Sequence, residues 1–327
     1  MEIAIRNKSL PFLPLREQAP RKKRIFEIDL LRGILIIIMI LDHLAYDFGI
    51  LANEFFIAAQ APEWLRNIYL WSEAYWVFDW RINVRYVVVA LFFILTGLSA
   101  YLSRNSIKRA MLIIGFGAIV SIVAYLGSTI FKTNMFIFFG IISCLGVSLL
   151  IYSLFRLFII KTTGSRSIWK WCALFLALLF MSTGFWMRIE ATTISINAQN
   201  WWMLINGRLV PAIRTYTTIN GVFTPINYDF KMRLAIVLGQ AWYGVDWAGL
   251  FPYIGYAFLG GFFGELLYKN KRSLIFKKNG SDYHKVEKAL KPLTYIGSKT
   301  IYIYLFHQAV LALVAFVVYY LSGVPLR

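Results

Sequence analysis

The sequence predicts an all-α polytopic membrane protein, a bundle of about seven or more transmembrane helices with interfacial helices and a small extracytoplasmic β-hairpin cap. Hydrophobic residues make up 59% of the 327 residues, and charged residues only 15%. Several apolar runs are long enough to cross roughly 30 Å of bilayer hydrocarbon. This composition excludes the two soluble domains that the length alone would allow.

Apolar runs place the predicted spans in order along the chain. They lie at about 29–51, 83–103, 110–131, 135–158, 169–187, 247–268 and 298–321. We therefore divide the chain into a basic cytoplasmic tail, residues 1–28, and one transmembrane domain, residues 29–327. Within that domain, residues 188–246 form a predicted extracytoplasmic insertion.

The net charge of +18 is unevenly distributed. Basic residues concentrate in the tail, in the turns "RNSIKR" and "KTTGSRSIWK", and in the loop 269–297. With an odd number of spans these segments share one side, so the positive-inside rule predicts a cytoplasmic N-terminus and a multi-pass protein of the plasma membrane. The charge is thus a topology signal that also attracts anionic lipids, and no nucleic-acid partner is expected.

Two segments on the predicted outer side are more than simple turns. The stretch after the first span is rich in Trp and Tyr, which is typical of helices at the membrane interface. The insertion contains Asn206-Gly207 and Asn220-Gly221 between strand-like residues, a pattern that predicts β-hairpins. An irregular loop is the alternative, above all at the first dipeptide.

Ionisable residues inside the first and last spans are the main functional signal. His43 lies eleven residues beyond Arg32, about 16 Å along a helix, and His307 lies eight residues beyond Lys299, about 12 Å. The two histidines therefore share a depth near the bilayer midplane. We expect their imidazoles within roughly 10 Å of each other and facing the bundle interior, because unpaired polar groups are costly in hydrocarbon.

His43 and Asp47 are four residues apart and so share a helix face. A carboxylate there can orient an imidazole and stabilise its protonated form, as a general base requires. Asp42 points elsewhere, and the nearest candidate cation by depth is Arg85. The alternative is that these groups only hold helices together by hydrogen bonds. Their spacing lacks the pattern of metal ligands, so no metal is expected.

Charged residues also mark the predicted cytoplasmic end of the first span. Glu27 and Asp29 favour a helix N-terminus, and Arg32 could simply reach lipid phosphate. Alternatively, Arg32 and the turn with Arg104, Lys108 and Arg109 form a cationic surface for a phosphorylated cytosolic ligand.

The opening "RIFEIDLLRGILIIIMILDHLAYD" resembles the first-span signature of the bacterial heparan-alpha-glucosaminide N-acetyltransferase catalytic-domain-like proteins. Three further segments are similar in the same order, "ALFFILTGLSAYLSRN", "FIFFGIISCLGVSLL" and "GLFPYIGYAFLGGFFGELLY", as is the ending "IGSKTIYIYLFHQAVL". The residues that match the family's motifs are Arg32, Gly33, His43, Asp47, Gly97, Ser99, Asp246, Pro252, His307 and Gln308. Cys144 departs from the family, which commonly has a histidine there, and the 188–246 insertion is long.

The resemblance implies acyl transfer from cytosolic acyl-coenzyme A, in particular acetyl-coenzyme A, to a cell-envelope glycan or lipid at the outer face. On this hypothesis acyl-coenzyme A is a co-substrate and no cofactor is bound. The assigned residues fall into three groups: catalytic His43, Asp47 and His307; substrate- or oxyanion-binding Arg85, Asp246 and Gln308; and donor-binding Arg32, Arg104 and Lys108. Membrane lipids are expected partners, and a homo-oligomer is compatible with the sequence.

Two other functions remain open from the sequence. One is a proton-coupled transporter or flippase of an anionic lipid or metabolite, in which His43, Asp47 and His307 would relay protons. The other is a non-catalytic membrane scaffold whose outer segment binds a partner.

Overall fold

The computed structural model describes residues 24–131, 137–194, 216–219, 222–225, 230–240, 246–275 and 281–327. The predicted hairpin at Asn206-Gly207 and most of the 188–246 insertion lie outside these residues. The described part of the chain is nearly all helical. Its helices are α1 (Phe26–Tyr46), α2 (Ala52–Phe55), α3 (Glu63–Val77), α4 (Asp79–Leu102), α5 (Ser106–Phe131), α6 (Ile141–Thr163), α7 (Arg166–Ile194), α8 (Phe230–Leu238), α9 (Leu250–Leu267), α10 (Ser281–Ala289), α11 (Lys291–Ser298) and α12 (Thr300–Leu321).

Within the described ranges, seven helical segments are long and apolar enough to cross a membrane. They are Phe26–Phe55, Asp79–Leu102, Ser106–Phe131, Ile141–Thr163, Arg166–Met187, Leu250–Leu267 and Thr300–Leu321. The predicted multi-pass helical bundle is confirmed. The first span is extended by a π-helical turn, Asp47–Leu51, which joins α1 to α2. Such π turns commonly occur at functional sites.

Helix α9 packs between α4 and α7 at the centre of the bundle, and glycines make the approach possible. A Cβ on Gly97 would overlap the backbone carbonyl of Ala257, and one on Gly260 would overlap that of Ile94. Small residues at such crossings let two helix backbones come into contact. The hydrophobic effect does not drive helices together within a membrane, so dispersion and weak polar contacts stabilise the crossing instead. Buried aromatic side chains, including Phe93, Phe258 and Trp169, fill the space around these crossings.

A second glycine crossing joins α1 to α11. A Cβ on Gly33 would overlap the backbone of Leu293, and one on Gly297 would overlap that of Asp29. The start of α12, which follows α11 directly, is thereby held beside the start of α1. We call this side of the bundle, where α1 and α12 begin, the N-terminal face.

At the opposite face, the chain end pairs with the segment after α2. Ile57 donates its N–H to the carbonyl of Pro325 (2.9 Å), and Arg327 donates to that of Phe55 (3.0 Å). Helix α3 packs against the π-helical turn and α1, and it buries Leu65 and Tyr69, while Trp64 and Trp71 stay more than half exposed. Its position at a membrane interface stays a prediction.

A non-helical crossing lies at mid-depth and positions the start of α6. Ile141 donates its N–H to the carbonyl of Asp246 (3.1 Å), and Ala248 donates to that of Phe139 (3.2 Å). Helix α6 begins level with the middle of α5, since a Cβ on Gly117 would meet Ser143 Cα at 3.0 Å. Gly117 is eleven residues into α5, so this crossing lies about 16 Å from the N-terminal face.

Two short strands, β1 (Tyr216–Ile219) and β2 (Val222–Pro225), pair antiparallel on either side of Asn220-Gly221. Their register places Ile219 opposite Val222. A role for this pair as a cap over the helices stays a prediction.

The glycine crossing between α4 and α9 predicts a position-specific effect of one methyl group. Gly97→Ala should force the two backbones apart and destabilise the bundle by about 1–3 kcal/mol. This corresponds to a melting temperature lower by roughly 3–10 °C for the protein in detergent. Gly115→Ala is the matched control, because nothing lies within 4 Å of a Cβ there. Equal melting temperatures for the two variants would contradict the close crossing.

Candidate functional site

The two membrane histidines meet inside the bundle. The ring centres of His43, on α1, and His307, on α12, lie 4.8 Å apart with the rings nearly perpendicular. The expected proximity within 10 Å is confirmed. The glycine crossing between α1 and α11 explains it, because it sets the register of α12 against α1.

Both imidazoles are oriented by carbonyls of their own helices. His43 Nδ1 lies 2.9 Å from the carbonyl oxygen of Met39, and His307 Nδ1 lies 2.7 Å from that of Tyr304. Because a carbonyl can only accept, each Nδ1 carries hydrogen and each neutral ring presents Nε2 as an acceptor. His307 Nε2 is buried and has no hydrogen-bond partner among the described residues. A ligand with an O–H or N–H donor would complement this unpartnered acceptor.

Asp47 has a different partner from the one that the helix spacing predicts. Gln308 Nε2 donates to Asp47 Oδ1 at 2.6 Å, so the pair bridges α12 to the start of the π-helical turn. Asp47 is fully buried, and its Oδ2 has no hydrogen-bond partner in the described chain. The Asp47 N–H still bonds the carbonyl of His43 as in a regular α-helix, so the two residues keep the predicted helical spacing. Asp47 therefore ties the helices together beside the histidines, and the carbonyl of Met39, in its place, orients His43.

Asp246 is the carboxylate that interacts electrostatically with His43. The mid-depth crossing holds it, with its Oδ2 3.1 Å from the position of a Cβ on Gly140. Asp246 lies within electrostatic range of both His43 and Arg85. Tyr304 also lies within electrostatic range of Asp246 and Arg85. Residues from α1, α4, α12 and the crossing thus interact electrostatically with one another.

Asp42 is paired with Arg81 and not with Arg85, the nearest cation by depth. Arg81 Nε and Nη2 donate to the two carboxylate oxygens of Asp42 at 2.6 and 2.7 Å. The guanidinium carbon lies 3.5 Å from the ring centre of Trp76, and Tyr75 donates its hydroxyl to Asp42 at 3.2 Å. This bidentate pair, in which Arg81 is buried and Asp42 mostly so, locks α1 to α3 and α4 at the opposite face, and it leaves Arg85 available to the site.

A cavity of about 620 Å³ opens at the N-terminal face. Its wall along α4 extends from Phe92 to Leu102, about 15 Å at the helical rise. Tyr304 and Leu305 line it at α12, and the Tyr304 ring centre lies 5.5 Å from that of His307. The cavity therefore extends from the N-terminal face to the layer of side chains beside the histidines.

Basic side chains line this cavity near its mouth. They are Arg24, Arg32, Arg109 and Lys271, with Asp29 as the one lining carboxylate. Arg32 donates to Asp29 at 3.2 Å and also bonds the hydroxyl of Ser99, so it points into the bundle and not to lipid phosphate. Arg24 donates to Asp29 at 3.4 Å.

Helix ends add to the positive potential at the mouth. The cavity is lined by residues from the first turns of α1, α5 and α12, among them Ile28, Arg109 and Thr300. The N-terminus of a helix carries partial positive charge and free N–H groups, which favour anions. A long, partly apolar cavity with a cationic mouth suits a molecule with a polyanionic end and a slender arm.

The remaining donor-site candidates lie at the same face but outside the cavity lining. Arg104, on the turn between α4 and α5, and Lys108, in the first turn of α5, are exposed. Arg109, the next residue in α5, lines the cavity in their place. Helical spacing could have indicated this difference, whereas no sequence signal relates Lys271 to the first span, because the two lie more than two hundred residues apart.

Among the described residues, no three His, Cys, Asp or Glu side chains are grouped so that they could hold a metal ion. Cys144, which stands where the resembled family has a histidine, is fully buried with its Sγ 3.5 Å from the carbonyl of Gly249.

A model of the heparan-alpha-glucosaminide N-acetyltransferase catalytic family matches residues 24–309. The chain belongs to this family, and it is a membrane acetyltransferase in general terms. The match contains both histidines, Asp246 and the residues of the cavity mouth. No curated protein and no solved structure matches the chain.

The ion pair between Asp42 and Arg81 predicts a large loss of stability when one partner is removed. Arg81→Ala leaves a buried carboxylate uncompensated, so the free energy of unfolding should fall by about 3–5 kcal/mol. Arg66→Ala, an exposed arginine on α3, is the control and should leave stability unchanged. Thermal unfolding in detergent measures both, and a nearly unchanged Arg81→Ala variant would contradict the role of the pair.

Proposed function

We propose that the protein transfers an acyl group, in particular acetyl, from acyl-coenzyme A in the cytosol to a glycan or lipid of the cell envelope. The observation that carries this proposal is the cavity with a cationic mouth that ends beside the histidine pair. The phosphates of coenzyme A fit the mouth, and its thioester arm fits the partly apolar interior. The proposal places the N-terminal face in the cytosol and the protein in the plasma membrane, as the charge asymmetry favours.

His43 is the proposed general base. Its Nε2 accepts the proton from the acceptor hydroxyl or amine as the oxygen or nitrogen attacks the thioester carbonyl carbon. The carboxylate of Asp246 stabilises the imidazolium that forms. When the carbon–sulfur bond breaks, the proton returns from His43 to the coenzyme A thiolate, so the base is regenerated.

Arg85 is the proposed stabiliser of the oxyanion. A neutral His307 offers no free N–H, since its Nδ1 hydrogen is directed to the Tyr304 carbonyl. Arg85 carries a permanent positive charge within electrostatic range of Asp246, so it can compensate the negative charge that develops on the carbonyl oxygen. We propose that His307 Nε2 accepts a hydrogen bond from the incoming acceptor, and that Asp47 and Gln308 hold α12 in register.

The donor-binding residues divide into two groups on this proposal. Arg24, Arg32, Arg109 and Lys271 line the cavity and bind the phosphates directly, whereas Arg104 and Lys108 attract the anion from outside. Membrane lipids surround the spans, and the acceptor approaches from the opposite face, where the insertion and the β1–β2 pair would act as a cap.

Removal of the base is the direct test of catalysis. His43→Ala should reduce acetyl transfer by a factor of about 10²–10⁴, the usual contribution of a general base, while expression and acetyl-coenzyme A binding persist. Asp47→Asn should reduce the rate less, because it perturbs a helix contact and not the proton acceptor. Transfer is measured by mass spectrometry of envelope glycans and lipids from cells with each variant. Full activity of His43→Ala would overturn the mechanism.

Removal of the negative charge of Asp246 is a second test of the mechanism. Asp246→Asn keeps the size of the side chain but cannot compensate the imidazolium, so kcat/KM should fall. An unchanged kcat/KM in Asp246→Asn would contradict the role of this carboxylate.

The two groups of donor-binding cations should differ in their response to salt. Arg109→Ala should weaken acetyl-coenzyme A binding at both low and high ionic strength. The exposed pair, Arg104→Ala with Lys108→Ala, should weaken binding only at low salt, because counter-ions screen exposed charges. Binding is measured by titration in detergent. Equal salt dependence for the two variants would contradict this division.

A further inference from the structure

Glu27 receives hydrogen bonds from a segment that is remote in sequence. Its carboxylate accepts from the Tyr268 hydroxyl (3.1 Å), the Ser273 hydroxyl (2.6 Å) and the Leu274 N–H (2.7 Å). The N-terminus of α1, in contrast, has no side-chain cap. Hydrogen bonds to a charged acceptor are about twice as strong as neutral ones. The main contacts of Glu27 therefore fix the segment Tyr268–Leu274, which follows α9, and do not cap α1.

Within this segment Lys271 has a backbone conformation that needs support. Its φ is 50°, in the left-handed region that non-glycine residues seldom adopt. Its N–H donates to the carbonyl of Tyr268 at 2.8 Å, which closes a tight turn. This turn directs Lys271 to the mouth of the cavity, with its Nζ 5.8 Å from the ring centre of Tyr101.

We propose that Glu27 is a positioning residue for the donor, and that it acts by holding the Tyr268–Leu274 segment so that Lys271 completes the cationic mouth. The inference rests on the proposed function, since the ligand is the polyphosphate end of acyl-coenzyme A. A lysine side chain gives up considerable conformational freedom when it is ordered. A turn held by three hydrogen bonds reduces the part of that cost that arises from the backbone.

The separate partners of the two acidic residues in the first turn of α1 support this assignment. Asp29 bonds Arg24 and Arg32, so it orients the two arginines at the mouth. Glu27 orients the segment that supplies the lysine. The first turn of α1 thus organises cations from two distant parts of the chain around one opening.

Kinetics of the full-length protein in detergent, with acetyl-coenzyme A as the varied substrate, test the proposal. Glu27→Gln should raise the donor KM about tenfold, the loss expected for hydrogen bonds to a charged group, with kcat unchanged. Lys271→Ala should raise KM to a similar extent. The double variant should be no worse than Lys271→Ala alone, because both changes act through the same side chain. Glu63→Gln is the control, an exposed glutamate in the first turn of α3, and should behave as wild type.

Hydrogen exchange provides a readout that needs no ligand. Glu27→Gln should speed the exchange of the Leu274 amide and its neighbours, because its acceptor is weakened. Should Glu27→Gln fold poorly, Ser273→Ala removes one donor, and its donor KM should rise to a smaller extent.

The outcomes separate this inference from the proposed function. Faster exchange with an unchanged KM would overturn it, as would a double variant whose KM is the product of the two single effects. Saturable acetyl-coenzyme A kinetics in the wild type together with either result would leave the proposed function intact. A wild-type protein that neither binds nor uses acetyl-coenzyme A would overturn the proposed function itself.

Discussion

The backbone-to-backbone contact of α4 with α9 is the constraint on which the arrangement of the site depends. Gly97 and Gly260 let the two helices approach until carbonyls face bare Cα positions. Because α9 is held at the centre, the residues just before it lie at mid-depth, where Asp246 and Ala248 pair with the residues at the start of α6. A carboxylate from late in the chain is thereby brought to a histidine from the first span. Larger side chains at the crossing would displace α9, and Asp246, which directly precedes α9 in the chain, would move with it.

Polar side chains in the interior divide into those whose polar atoms have hydrogen-bond partners and those with unpartnered atoms. Both oxygens of the Asp42 carboxylate accept hydrogen bonds, from Arg81 and Tyr75, and this carboxylate serves to hold helices together. Near the histidines the pattern is different, since Asp47 Oδ2, His307 Nε2 and Gln308 Oε1 have no partner in the described chain. All three are acceptors. A substrate that carries hydroxyl or amino hydrogens would donate hydrogen bonds to these acceptors. A purely apolar molecule would leave them unpaired, and the free-energy cost of their burial would not be offset.

The sequence predicted the helical bundle and the meeting of the histidines because both follow from local rules. Apolar length defines a span, and the rise per residue converts the positions of His43 and His307 into a shared depth. Which carboxylate faces His43 was not predictable in this way. Asp47 keeps its helical spacing from His43 but is bonded by Gln308 from the last span, and the approach of Asp246 depends on a crossing between segments a hundred residues apart. Lys271 reaches the mouth for a similar reason, since its position depends on a tertiary contact with Glu27 that no periodicity encodes.

The depth of the cavity has an electrical consequence. Where water and ions fill this opening to about 15 Å from the N-terminal face, the membrane potential falls mainly across the layer that remains. That layer contains the histidine pair and Asp246. A charge that crosses the full membrane exchanges about 2.3 kcal/mol per 100 mV with the potential, and here most of that work falls within about half of the bilayer thickness. A proton that moves between His43 and the opposite face therefore experiences more of the voltage than its short path suggests.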